Sequence, residues 1–163
     1  MIIIGAKGKM DVGATIKKFV EFCEKNSLIG QIFDADLVFG EEHLAVAYEH
    51  AKRAFEKGKN ICKKIEMEML LYASGKRQIN EAISLIGAKK EGNYAFFVCG
   101  KIEREKVADF ISSLNLEIDQ DVIDFKKEKL KKFGINEKEI FATDEKYHKD
   151  LIFEKIALLD AIK

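Results

Sequence analysis

The stretch Ile65–Gly87, IEMEMLLYASGKRQINEAISLIG, decides how the rest of the chain is read. Ile65, Met67, Met69 and Leu71 alternate with Glu66 and Glu68. A period of two sends successive side chains to opposite faces, so the pattern predicts a strand over 65–73 with one wet face. Ser74 and Gly75 then turn the chain, and 78–86 predicts a helix closed by Gly87.

Working outward, Ile2–Ile4 predicts a short β-branched strand ended by Gly5 and Gly8. Asp11 is placed to cap a helix running to Lys25, because Val12, Ile16, Phe19, Val20 and Cys23 share one helical face. The segment 30–39 reads as extended, and 41–57 as a helix with the stripe Leu44, Ala47, Tyr48, Ala51 and Phe55, stopped by Gly58. Downstream, NYAFFVC (93–99) is an aromatic and apolar strand. Helices are predicted over 103–114, 121–133 and 144–162. Strands and helices in this order predict an α/β (α+β) fold. Its form is a small mixed β-sheet covered by helices, one domain over 1–163 with a long C-terminal helix.

Composition narrows the function. The 163 residues carry 28 Lys+Arg against 28 Asp+Glu, which excludes binding to nucleic acid through overall positive charge. Near-neutrality with 47% hydrophobic residues also excludes a charged disordered tail. With no proline there is no Pro-rich linker or PxxP ligand. Abundant Lys and Glu resemble the hyperthermophile signature, which an AT-rich genome would mimic. Cys23, Cys62 and Cys99 lie outside any CxxC pattern and read as reduced thiols. The three-residue apolar run after Met1 is too short for a signal segment, and no run reaches the ~18 residues of a membrane span. A soluble cytoplasmic protein with no membrane attachment is expected.

Familiar catalytic patterns fail on their spacing. Gly75-Lys76 has Leu70 where a P-loop needs its first glycine, and Arg77 where it needs a hydroxyl. His43 and His50 stand seven apart, too far for paired metal ligands, so no metal or cofactor is expected. Asp34 and Asp36 would share a strand face, an arrangement that more often caps or solvates than catalyses.

Two features stand out. Charge is segregated along the chain: 34–49 holds five acids and no Lys or Arg, whereas 52–64 holds six cations and one acid, Glu56. Lys76 and Arg77 follow, at a turn opening a helix whose free amides favour an anion. The C-terminal helix is apolar on more than one side, which fits deep burial or a shared interface.

Three segments then resemble one family: IFDADLVFGEEHLAVAYEHA (32–51), EMLLYASGKRQINEAISLIG (68–87) and the terminal LLDAI (158–162). The chain is similar to the tRNA-recruiting, kinase-binding regulatory subunit of the KEOPS complex, the PRPK-binding protein family. The resemblance implies a non-catalytic subunit. It would bind a kinase-like ATPase subunit, support its activity, and recruit tRNA by the 3′ CCA end for threonylcarbamoyl modification of adenosine 37. On that reading Lys76 and Arg77 meet phosphates, and Gln78 bonds a base or a ribose 2′-hydroxyl. Tyr72 or Ile79 offers a flat apolar contact, and Lys57, Lys59, Lys63 and Lys64 extend the basic track. Ile152, Phe153, Ile156 and Leu159 would anchor the kinase-like partner. Two alternatives stay open at this point: a small nucleotide-binding protein using the 75–78 turn, or a purely structural adaptor.

Overall fold

A computed structural model describes all residues from Met1 to Lys163. The elements are β1 (Ile2–Lys9), α1 (Val12–Lys25), β2 (Ile29–Asp34), α2 (Glu41–Glu56), α3 (Ile65–Ser74), α4 (Ile79–Ile86), β3 (Glu91–Cys99), α5 (Arg104–Ser113), β4 (Glu117–Ile118), α6 (Lys127–Phe133), α7 (Glu137–Ala142) and α8 (His148–Ile162). The α/β class expected from the sequence is met. Two compact units are formed: Met1–Asp36 with Gly87–Ile123, and Leu37–Ile86 with Asp124–Lys163.

The first unit is a four-stranded sheet in the order β2-β3-β1-β4, antiparallel at every pairing rather than the mixed sheet expected. Ile4, Ala6, Ile32, Phe96 and Val98 alternate onto one face, where Phe19 and Cys23 of α1 and Val107 and Ile111 of α5 complete the core. Asp11 caps α1 as expected, its carboxylate accepting from the Ala14 amide at 3.0 Å. Gly5 and Gly8 do not end β1; the strand runs through both to Lys9. Gly5 serves a close approach instead, since a Cβ there would lie 2.4 Å from the Asp119 carbonyl oxygen. Asp34 and Asp36 do not form a carboxylate pair on a strand. Asp36 lies in a 3-10 turn over Ala35–Leu37, its amide donating to Asp34, while its own carboxylate accepts from Asn93.

The second unit is helical. The alternating segment at 65–73 is not a strand but α3, a helix running to Ser74. Met69, Leu70, Leu71, Tyr72 and Ala73 are consecutive and all buried, so this half of the helix has no polar face to reveal a 3.6 period. Glu68, read as a solvated alternate, is buried as well. Gly75 closes α3 at φ +69, with the amides of Gly75 and Lys76 donating to the Tyr72 and Leu71 carbonyls at 3.2 Å. The same glycine admits α8, because a Cβ would meet Lys155 Cβ at 3.2 Å. The segment at 121–133 divides into a 3-10 turn (Gln120–Ile123) and α6, and 144–162 into a 3-10 turn (Glu145–Tyr147) and α8. The short β4 and α7 carry too few residues for a periodic signal.

His43 is fully buried in this unit. Its Nδ1 accepts from the Phe39 amide at 3.2 Å, so the proton resides on Nε2, which donates to the Ala73 carbonyl at 2.9 Å. Burial, offset only in part by that carbonyl and reinforced by the nearby charge of Lys129, lowers its pKa to about 4. The unfolded chain takes up this proton at the ordinary pKa of about 6.5, the folded chain only near 4. Stability from the neutral ring is therefore complete above pH 6.5 and falls away between pH 6.5 and 4, by on the order of 3 kcal/mol. Urea unfolding at pH 7 and pH 4.5 should show this loss, and His43→Gln should shrink the difference between the two pH values.

Candidate anion-binding surface

The cationic window left by the charge pattern becomes the end of α2 and the loop after it. Lys57–Lys64 forms neither helix nor strand. Its backbone is organised from within the unit. The Lys59 amide donates to the Ala54 carbonyl at 2.8 Å, and the Asn60 side chain to the Cys62 carbonyl at 2.8 Å. The amides of Ile61 and Cys62 both point at the Glu68 carboxylate, at 2.9 and 2.8 Å. Lys163 donates to the same carboxylate at 2.7 Å and to the Tyr72 hydroxyl at 2.8 Å, with its ammonium 4.2 Å from the Tyr72 ring centre. Tyr72 O–H in turn donates to Asp160, which also accepts from His50 Nδ1 at 2.6 Å.

This chain of groups explains several titration shifts. Burial, then the hydrogen bond to Asp160, pushes the Tyr72 phenol up. Burial works against the Asp160 carboxylate, yet the hydrogen bonds from Tyr72 and His50 outweigh it and hold its pKa below the usual range. Burial and the adjacent Glu68 push the Cys62 thiol up to about 11, so it is a thiol and a poor nucleophile at neutral pH.

Beside the network lies a cavity of about 130 Å³ lined by Arg53, Ala54, Lys57, Lys59, Asp160 and Lys163. At ~30 Å³ per molecule it has room for about four waters, or for one tetrahedral anion. Lys163 is already paired with Glu68, so Arg53, Lys57 and Lys59 set against the one carboxylate of Asp160 leave the recess with an excess of positive charge, which favours an anion.

The residues picked out from sequence fare unequally. Lys59 joins this recess, and Lys63 and Lys64 are exposed on the same loop. Lys76, Arg77 and Gln78 are exposed at the helix-to-helix turn between α3 and α4, not at a strand-to-helix turn, and Ile79 is half-buried. Lys76 lines a separate shallow groove with Asn80, Glu81, Ser84 and Leu85. Tyr72 offers no stacking surface: its ring is fully buried beneath Lys163 and beside His50, because the segment carrying it is a core helix. Asp160 and Lys163, which complete the recess, escaped the sequence reading because they arrive from the far end of the chain.

The same correction applies to α8. Ile152, Ile156 and Leu159 are buried where α8 packs on α2 and α3, and Phe153 is half-buried. Their spacing of four and three is the inward stripe of a helix. The outward apolar residues are Leu158, 50% exposed, and Ile162, 54% exposed. No group of three or more His, Cys, Asp or Glu side chains is arranged to hold a metal ion, and no helix is long and apolar enough to cross a membrane.

Fold and recess together define a small α/β protein with a cationic loop set on a helical unit. The chain belongs to the family described as Kinase binding protein CGI-121, whose model matches residues 14–160. It is similar to "Regulatory protein Cgi121" of Methanocaldococcus jannaschii, 37% identical over 99 residues, 61% of this chain and 63% of that protein. It is also similar to "KEOPS complex subunit Cgi121" of Pyrococcus abyssi, 34% identical over 102 residues, 63% of this chain and 56% of that protein. The matched stretches thus span less than two thirds of the length of these curated relatives.

Glu68 is the residue on which this surface depends most. Glu68→Ala leaves the Ile61 and Cys62 amides and the Lys163 ammonium without their acceptor. Breaking a buried pair from one side costs about 3–5 kcal/mol. The unfolding free energy from denaturant titration should fall by that amount.

Proposed function

We propose that this chain is a non-catalytic, kinase-binding KEOPS subunit that also recruits tRNA. Support for the partner comes from the family, whose description names kinase binding, and from the relative named as a KEOPS complex subunit. The observation that carries the RNA half is the excess of Arg53, Lys57 and Lys59 over Asp160 around the recess, continued by the exposed Lys63 and Lys64. Single-stranded RNA ends are held by cations that track the backbone and by flat surfaces for the bases. In this reading the recess and its loop bind the phosphates of the 3′ CCA end. Lys76, Arg77 and Gln78 add contacts at the α3–α4 turn, and half-buried Ile79 replaces Tyr72 as the apolar contact. The tRNA so held is presented to the complex for threonylcarbamoyl modification of adenosine 37. The chain works in the cytoplasm and needs no cofactor of its own. The kinase-like ATPase docks on the outward side of α8, at Leu158 and Ile162 rather than at the buried Ile152, Ile156 and Leu159.

Both halves are measurable. The chain should bind tRNA ending in CCA more tightly than tRNA lacking it, with affinity falling steeply as salt rises. Arg77→Glu should weaken binding and reduce the slope against log salt by about 1. Unchanged affinity and slope would remove Arg77 from the interface. Leu158→Glu, at an exposed site, should shift stability by less than about 0.5 kcal/mol. It should still abolish co-elution with the kinase-like ATPase on size exclusion.

A further inference from the structure

The recess at the end of α8 contains a group that phosphate binding alone leaves unused. Among its exposed cations Arg53, Lys57 and Lys59 stands one carboxylate, Asp160. Asp160 Oδ1 accepts from the Tyr72 hydroxyl, and Oδ2 accepts from His50 Nδ1 at 2.6 Å. Those two bonds fix the carboxylate in place and keep it ionised. An ionised carboxylate only accepts, with about four lone-pair sites on its two oxygens. Each oxygen of Asp160 therefore keeps an acceptor site free, the two lie side by side, and the side chain is 45% exposed.

A bare phosphate filling this recess meets the cations but also sets its own charge against Asp160. The group that suits the carboxylate must donate, and the three cations beside it disfavour a charged ammonium. A neutral pair of donors on adjacent atoms fits both oxygens at once. The vicinal 2′ and 3′ hydroxyls of a ribose are such a pair, and an acidic side chain holds a ribose hydroxyl in this way in dinucleotide sites. An exocyclic base amine offers only one atom to the two oxygens. Along an RNA every 3′ oxygen but the last is esterified, so both hydroxyls are free together only at the 3′ end. Size agrees with an end: about 130 Å³ is well below the ~300–1,000 Å³ of pockets that enclose a drug-sized ligand.

We propose that the recess seats a terminal ribose, with its free 2′ and 3′ hydroxyls on Asp160 and its adjoining phosphate on Arg53, Lys57 and Lys59. Asp160 is then a specificity residue: it accepts an end with both hydroxyls and rejects one whose 3′ oxygen carries a phosphate. A free ribonucleotide carries the same groups. The chain end is favoured because Lys63 and Lys64 continue the exposed positive charge along the loop. The inference deepens the proposed function and rests on it for RNA as the source of the ribose. The match of hydroxyls to Asp160 rests only on the recess.

The test measures binding of the full chain to one short RNA ending in CCA, made with three ends: free hydroxyls, 2′,3′-dideoxy, and 3′-phosphate. Removing both hydroxyls should weaken binding by about 10-fold or more, since hydrogen bonds to a charged acceptor are lost. The 3′-phosphate should weaken it at least as much, although it adds negative charge. Asp160→Asn keeps an acceptor for Tyr72 and offers His50 an amide donor in exchange for its proton. In that variant the preference for free hydroxyls over the 3′-phosphate should collapse toward one. The readout is a ratio between ends, so a general loss of affinity or stability cancels, and the wild-type series decides the matter even if the variant does not fold. Equal affinity for the three ends overturns the ribose seat and leaves the RNA reading standing. AMP and its 2′,3′-dideoxy form are the second arm. If AMP binds in a hydroxyl-dependent way and no RNA does, the ribose seat stands, and RNA is overturned as its source together with the RNA half of the proposed function. Binding of neither RNA nor AMP overturns both.

Discussion

A carboxylate removed from water is among the more demanding features a small protein can contain, and the helical unit is arranged around one. Glu68 sits on a helix whose following residues are all core. Every one of its strong partners comes from elsewhere: two loop amides from upstream and an ammonium from residue 163. Desolvating the carboxylate is tolerable only because those donors converge on it. The loop conformation, the end of α8 and the orientation of Tyr72 are therefore set together.

Other buried polar groups in the unit follow the same logic on a smaller scale. His43 uses both ring nitrogens, one to receive the Phe39 amide and one to bond the end of α3 at Ala73. Lys129 of α6 is buried yet donates to the Val38 and Asp124 carbonyls at 2.7 and 2.8 Å. His148 at the start of α8 bonds the Ile140 carbonyl of α7 at 3.0 Å. Each is a polar group whose partners are supplied by a different element, so each fixes a relative placement that apolar packing alone would leave looser. The cationic recess inherits its shape from this framework. Arg53 comes from the end of α2, Lys57 and Lys59 from the loop, and Asp160 and Lys163 from the end of α8.

Much of the fold was legible in the residues. The Asp11 cap, the amphipathic face of α2 and the aromatic strand around Phe96 are local signals of period and capping, and they hold. On α1 the helix is as expected but its face is turned: Ile16 and Val20, assigned to the inner stripe, are exposed, and Thr15 is buried beside Phe19 and Cys23. The segment from Ile65 was misread because alternation of Met and Glu mimics a strand. A helix buried on all sides shows no 3.6 period, and the one carboxylate it hides looks like a solvated position. The C-terminal helix posed the same problem in another form. Apolar on several sides, it gave no local sign that Ile152, Ile156 and Leu159 turn inward while Leu158 and Ile162 turn outward.

By itself the sequence determined the α/β class, the placement of most helices, the cationic window after α2 and, through three matching segments, the family. These are properties of short spans, carried by periodicity, caps and local composition. Tertiary structure alone decided that Glu68 is an acceptor rather than a surface charge, that Tyr72 is core rather than a platform, and that Asp160 and Lys163 complete the recess begun at Arg53. The physical reason is the same for all of them. Whether a polar side chain is solvated or buried depends on how the chain folds back on it: the Glu68 carboxylate needs Lys163 from 95 residues away as well as a particular conformation of the loop just upstream, and neither is written in local periodicity.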